Sequence, residues 1–264
     1  KKISRLFIVL LGLSFIIGLS MISFAQPSLV PATVNPSHND VQVIIPNHAV
    51  QVADNVFSLG NAQDKDGTIV EGYLFINKKE VNARGPTSSC YSFLSKNTRW
   101  KTTEQYIITN EIDSTLAEAS LNVWDSQVSF DVFGTRDISG IVDGADSSSP
   151  DGKNEVLFAN LGSTSTIAYT IVWGVFSGSL SQRKIVEWDA VFNSAYPFGD
   201  ASINQSLYDF QSTLIHESGH ALGLGHASDS CTEESMYRFI SVGETKKRTL
   251  NFGDITGIKK LYGG

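Results

Sequence analysis

The sequence predicts an α+β fold, and three observations carry that reading. Apolar residues recur with a helical period around residues 111–126, 207–222 and 254–262. Between the first two stretches lie short β-branched and aromatic runs of strand length. These runs mostly do not alternate, and there is no internal repeat or low-complexity tract.

The elements follow in order. Lys1, Lys2 and Arg5 precede an apolar run from Leu6 to Ala25, and Ser23-Phe24-Ala25 places small residues before a cut at Gln26. Residues 1–25 therefore have the layout of a secretory signal peptide, the rival being an uncleaved anchor. Either way the remainder is expected outside the cytoplasm. Residues 26–89 read as a loose Pro- and Asn-containing arm to about His48, then a hairpin, together either a pro-segment removed on activation or a small accessory region that stays. The hairpin strands are Val56–Leu59 and Ile69–Ile76, joined by the turn Asp64-Lys65-Asp66-Gly67. Gly85-Pro86 breaks the chain ahead of a main domain over residues 90–264. That domain is expected to run through a strand at Tyr106–Ile108 and a helix from Glu111 to Ser126 capped by Asn110. Ile112, Leu116, Ala119 and Val123 share one face of that helix. Strands at Val128–Phe133, Glu155–Ala159, Ile167–Trp173 and Ile185–Phe192 follow, then helices at Leu207–Leu222 and Asp254–Tyr262.

The formal net charge is −7, and without the three basic residues of the first 25 positions it is −10. With no basic cluster, the chain is read as binding neither nucleic acid nor anionic membrane. It is read as a monomer.

The chemistry is concentrated in His216-Glu217-Ser218-Gly219-His220-Ala221-Leu222-Gly223-Leu224-Gly225-His226. His216 and His220, four apart, share a helix face and can bind one ion. Glu217 sits beside that ion without ligating it. Gly223 can end the helix in a left-handed conformation so that His226 returns as a third ligand. Three protein ligands with an open fourth position make a catalytic zinc site. Surface histidines on an ordinary helix are the bland alternative, and the fixed Gly223–His226 spacing makes it a poor one.

These residues resemble the signature of the metzincin clan of zinc peptidases. Met236 lies ten residues after His226, as a methionine turn would. The tail around Asp254, with Trp100 and Trp124, is similar to the matrixin family. The resemblance implies a twisted five-stranded mixed sheet with three helices. It also implies an edge strand at Ile167–Trp173 that pairs with extended substrate. It implies a zinc endopeptidase in which Glu217 takes the proton of the attacking water and passes it to the leaving amine. Asp254 would hydrogen-bond the methionine turn. A catalytically silent, peptide-binding zinc module is the alternative.

The chain also departs from the family. His38 and His48 are the only histidines outside the motif, so no second, structural zinc is expected. Gly253 stands where an aspartate would anchor a freed amino terminus. Arg238-Phe239 replaces a proline after the methionine turn, and no tyrosine stands there to assist the zinc. Asp143–Asn154, with Asp189 as a weaker addition, suits either a calcium loop or a solvated turn-rich loop. Asn204-Gln205-Ser206 fits a glycosylation acceptor. Cys90 and Cys231 are read as one disulfide. The other reading, a cysteine that switches off the zinc, gives Cys90 a short tether and strands Cys231.

Overall fold

A computed structural model describes residues 45–79, 89–162 and 164–263. The signal-peptide segment, most of the arm and Gly85-Pro86 lie outside these residues. The strands are β1 (Val50–Ala53), β2 (Val56–Gln63), β3 (Ile69–Lys79), β4 (Ser92–Phe93), β5 (Glu104–Ile108), β6 (Phe133–Arg136), β7 (Glu155–Ala159), β8 (Thr166–Val175), β9 (Lys184–Asn193), β10 (Phe198–Gly199), β11 (Tyr208–Asp209), β12 (Leu224–Gly225) and β13 (Phe239–Ile240). The α-helices among the described residues are α1 (Ser114–Asp125), α2 (Phe210–Ala221) and α3 (Phe252–Tyr262).

The main sheet has the order β1-β2-β3-β8-β9-β7-β5-β6, with β13 attached to β3. Strands β6, β5, β7 and β9 run parallel, and β8 is antiparallel to β9. These five strands are the sheet that the family resemblance implies. Helices α1 and α2 cover one face, where Trp124, Leu121, Ile215, Phe192 and Trp188 join one core. On the other face a second cluster gathers Leu74, Ile76, Tyr169, Ile171 and Trp173 beneath the 137–154 loop. Both faces are buried, which is why the strands do not alternate in sequence.

Four sequence expectations need correction. The segment Ile167–Trp173 is not an edge strand, because β3 pairs antiparallel along it from Glu71↔Gly174 to Lys78↔Thr166. The hairpin placed ahead of the main domain is thus continuous with its sheet. The strand expected at Val128–Phe133 starts only at Phe133, because the Asp125 carboxylate takes the N–H groups of Val132 and Phe133 at 2.9 and 3.1 Å. Helix α1 is capped by Asp113, not Asn110, its carboxylate accepting from Thr115 and Leu116. Starting there, the helix buries Ala117, Ser120, Leu121 and Trp124 and leaves Ala119 exposed.

Candidate metal and catalytic site

Helix α2 begins at Asp209, whose carboxylate caps Ser212 N–H at 2.8 Å and pairs with Arg248. The helix is buried almost throughout, so its polar residues are inside the protein: His216, Glu217 and His220 are each 0% exposed. Gly223 ends it at φ +97°, and a Cβ there would stand 2.8 Å from the Thr98 carbonyl. Only glycine meets both conditions cheaply. The chain then turns through β12, which pairs with β4, and delivers His226.

Two backbone carbonyls orient the rings. His216 Nδ1 lies 2.7 Å from Ser235 O, and His220 Nδ1 lies 2.9 Å from Leu224 O. Each Nδ1 must then carry the proton, leaving Nε2 a bare acceptor, as a metal ligand requires. His220 Nε2 and His226 Nε2 are 3.2 Å apart, His216 Nε2 has no partner, and the three donors lie within 4.8 Å of one another. Nitrogens about 2.0–2.1 Å from one tetrahedral ion would be about 3.3 Å apart. Burial also pushes the histidines toward the neutral form, His220 to about 3. The donor set fits zinc.

Glu217 lies beside this cluster. Its Oε2 accepts a 2.6 Å hydrogen bond from Thr170 on β8, and its buried Oε1 has no partner. Burial pushes its carboxyl up to about 8, against the opposing influence of Thr170, Asn77 and Lys247.

Beneath the histidines, Met236 is held from two sides. Asp254 accepts from Ser235 N at 2.7 Å and from Met236 N at 3.1 Å, as well as from Asn251 N at the start of α3. The fully buried Lys247 donates to the carbonyls of Ser235, at 3.1 Å, and of Tyr237. A Cβ on Gly219 would run into the Met236 sulfur and the Trp124 ring, so glycine lets the turn close under α2.

Sequence reasoning missed Thr170, Asn77, Phe75, Gly219 and Lys247. Lys247 was hidden in Lys246-Lys247-Arg248, which reads as a solvated basic run. A threonine inside the apolar Ile167–Trp173 run was the one available hint for Thr170. Phe75 carried no hint: its ring stacks on His220 with centroids 4.3 Å apart and meets His226 edge-on at 6.1 Å.

Cys90 and Cys231 form a disulfide with Cα atoms 5.5 Å apart. A side chain at Gly253 would overlap the Cys90 backbone, so the glycine makes room for the domain's first residue against α3. Asn204 is exposed, and so is His48, while His38 lies outside the described residues.

The acidic stretch that suggested calcium folds against β9. Asp146, Glu187 and Asp189 bring one oxygen each within 4.8 Å of the others. Glu187 and Asp189 are 0% exposed, and Glu187 Oε1 and Asp189 Oδ1 have no partner. Their remaining oxygens accept from Gly152 N and, at 3.0 Å, Asp146 N. Burial pushes Glu187 up to about 9 and Asp146 to about 6. At the rim, Lys153 pairs with Asp143 and Asp151 instead. Asp143 and Asp151, which the sequence offered as ligands, are thus taken.

A parallel-rich sheet backed by two helices, with His-Glu-x-x-His on the second and a methionine turn under it, defines a metallopeptidase domain. The family comparison says which kind. The matrixin family model matches residues 94–263, and the chain belongs to that family. Metalloendoproteinase 1 of Glycine max is 48% identical over 58 residues, 22% of this chain and 18% of that protein. Metalloendoproteinase 4-MMP of Arabidopsis thaliana is 42% identical over 87 residues, 33% of this chain and 22% of that protein. Human matrilysin is 31% identical over 154 residues, 56% of this chain and 49% of that protein. The chain therefore spans about a fifth of the plant relatives and about half of matrilysin.

Proposed function

We propose that this chain is an exported zinc endopeptidase that hydrolyses extended segments of protein substrates. One observation supports it above the rest: two imidazoles fixed by carbonyls to present bare Nε2 atoms, with His226 converging on them, beside a buried carboxylate with one unpartnered oxygen. His216, His220 and His226 would hold the ion. Zinc, when bound, would supply Lewis-acid polarisation and a water acidified to a pKa of about 7. Glu217 accepts the proton through Oε1, since Thr170 occupies Oε2. It then returns the proton to the leaving nitrogen. Export is supported by the apolar leader of residues 1–25 and by a disulfide, a bond that persists outside reducing compartments. Among the described residues no helix is long and apolar enough to cross a membrane.

A second cation belongs in the same proposal. Two fully buried carboxylates, each with an unmet oxygen, and the half-buried Asp146 beside them call for positive charge, and an all-oxygen set suits calcium better than zinc.

The burial of His216, His220 and Glu217 favours a second reading, a zinc-holding module that binds peptides and cleaves none. Casein cleavage and zinc content of wild type and Glu217→Ala decide between them. The peptidase reading requires zinc in both and cleavage that depends on Glu217. Cleavage by both proteins at one rate would refute the role of Glu217.

A further inference from the structure

The three histidines are not positioned alike. His216 and His220 stand on α2, where the helix and two carbonyls set their rings. His226 lies off the helix, just past β12, so its place depends on what holds that stretch of chain. Strand β12 has two residues, and its partner β4 is equally short, with Leu224 opposite Phe93 and Gly225 opposite Ser92. A pairing of that length does not persist by itself in water.

Residues 90–94 supply what the pairing lacks. Leu94 N donates to Gly223 O at 3.0 Å, where α2 ends. Ser92 Oγ donates to the carbonyl of His226 itself at 2.8 Å. A Cβ on Gly225 would overlap the Ser92 hydroxyl, so the glycine before His226 admits this bond. Tyr91 lies against Gly257 of α3, where a Cβ would stand 3.0 Å from its own Cβ, and its hydroxyl accepts from Lys260. Cys90 packs on Gly253, and its disulfide reaches Cys231, 141 residues on, in the loop between His226 and Met236. That loop is closed at its base as well, Ala227 N donating to Met236 O at 2.9 Å.

We infer that residues 90–94 are a strap that positions the third zinc ligand: Ser92 fixes the His226 backbone, and the Cys90–Cys231 disulfide holds the strap in place. The inference rests on the zinc site of the peptidase reading above. A ligand that is still mobile must be ordered when the ion binds, and that cost appears as weaker metal affinity. Ordering it beforehand removes the cost, as outer partners of metal ligands do elsewhere. Ser92 is a positioning residue, because its hydroxyl meets the His226 carbonyl and not a ring nitrogen. Its side chain is exposed, so the bond serves the histidine and not the burial of a hydroxyl.

The test uses the full chain and the zinc ion alone, with affinity read by competition against a chelator. Ser92→Ala should weaken zinc binding about three- to tenfold, and Ser92→Thr should restore it. Cys90→Ser with Cys231→Ser should weaken it about 10–100-fold. If that pair fails to fold, Ser92→Ala carries the test, since it leaves the disulfide in place. In a His226→Ala background, Ser92→Ala should change zinc affinity no further. A general brace for the fold would instead lower the urea midpoint of the zinc-free chain and act equally with or without His226. Zinc held as tightly by Ser92→Ala as by wild type would overturn the inference, and so would an equal loss in the His226→Ala background. Tight zinc in every variant refutes the strap alone, whereas wild type that binds no zinc refutes the zinc site and the strap with it.

Discussion

The Ser235 carbonyl serves two donors at once, His216 Nδ1 at 2.7 Å and the Lys247 ammonium at 3.1 Å. One proposed metal ligand is thereby tied to the turn that carries Met236. Lys247 has no exposure, and burial lowers its pKa to about 7, so it is an expensive residue held for what it satisfies. Lys247→Met keeps the volume and leaves the carbonyls of Ser235 and Tyr237 short of a donor. We expect a loss of about 1–3 kcal/mol in urea unfolding and weaker zinc retention against a chelator. Unchanged stability and zinc affinity would show that the turn holds itself. None of this could be read from a Lys-Lys-Arg run, because the inward turn of its middle residue depends on the short helical turn at Lys246–Arg248. The three histidines and Glu217 were legible for the opposite reason: their chemistry requires fixed spacing within one helix and its exit.

At the scale of elements, α2 and α1 meet through small residues and indole. Trp124 Nε1 donates to Ile215 O at 2.8 Å, and the same ring bounds Gly219. Gly219→Ala should raise helix propensity yet destabilise by about 1–3 kcal/mol, because Met236 has nowhere to go. A gain in urea midpoint would contradict this packing. At the end of α1, burial raises Asp125 to about 6 although Val132 and Phe133 donate to it. Its folded value lies above the ordinary carboxylate value, so the folded state binds the extra proton. Its contribution is fullest below about pH 4 and is lost as pH rises through 6. Asp125→Asn should therefore show a smaller fall in Tm than wild type between pH 4 and 7; an equal fall would assign the pH dependence elsewhere. This carboxylate also explains a misplaced strand. Period and propensity at Val128–Phe133 favour β-structure, but two of its amides are spent on Asp125.

At the scale of the whole molecule, the five-stranded sheet and its helices were legible as local patterns plus a family resemblance. The longer sheet was not. Nothing local in Ile69–Lys79 says which edge it will join, since pairing partners 88 to 103 residues away leave no mark on a strand's own period. The acidic cluster has the same character: Asp146 comes from a loop and Glu187 and Asp189 from β9, joined only by the fold. If it holds calcium, millimolar Ca²⁺ should raise the Tm of the zinc-loaded chain by several degrees. Glu187→Gln should abolish that rise. An equal rise in the variant would place calcium elsewhere.

We propose that His216, His220 and His226 hold a zinc that works only with Glu217. The most direct measurement compares metal content and casein cleavage of the wild-type chain and of Glu217→Ala, alongside His220→Ala. One zinc per chain is expected in the first two proteins and none in the third. Cleavage should appear in the first alone, falling by a factor of about 10²–10⁴ when Glu217 is removed. Full zinc in His220→Ala, or undiminished cleavage in Glu217→Ala, would contradict it.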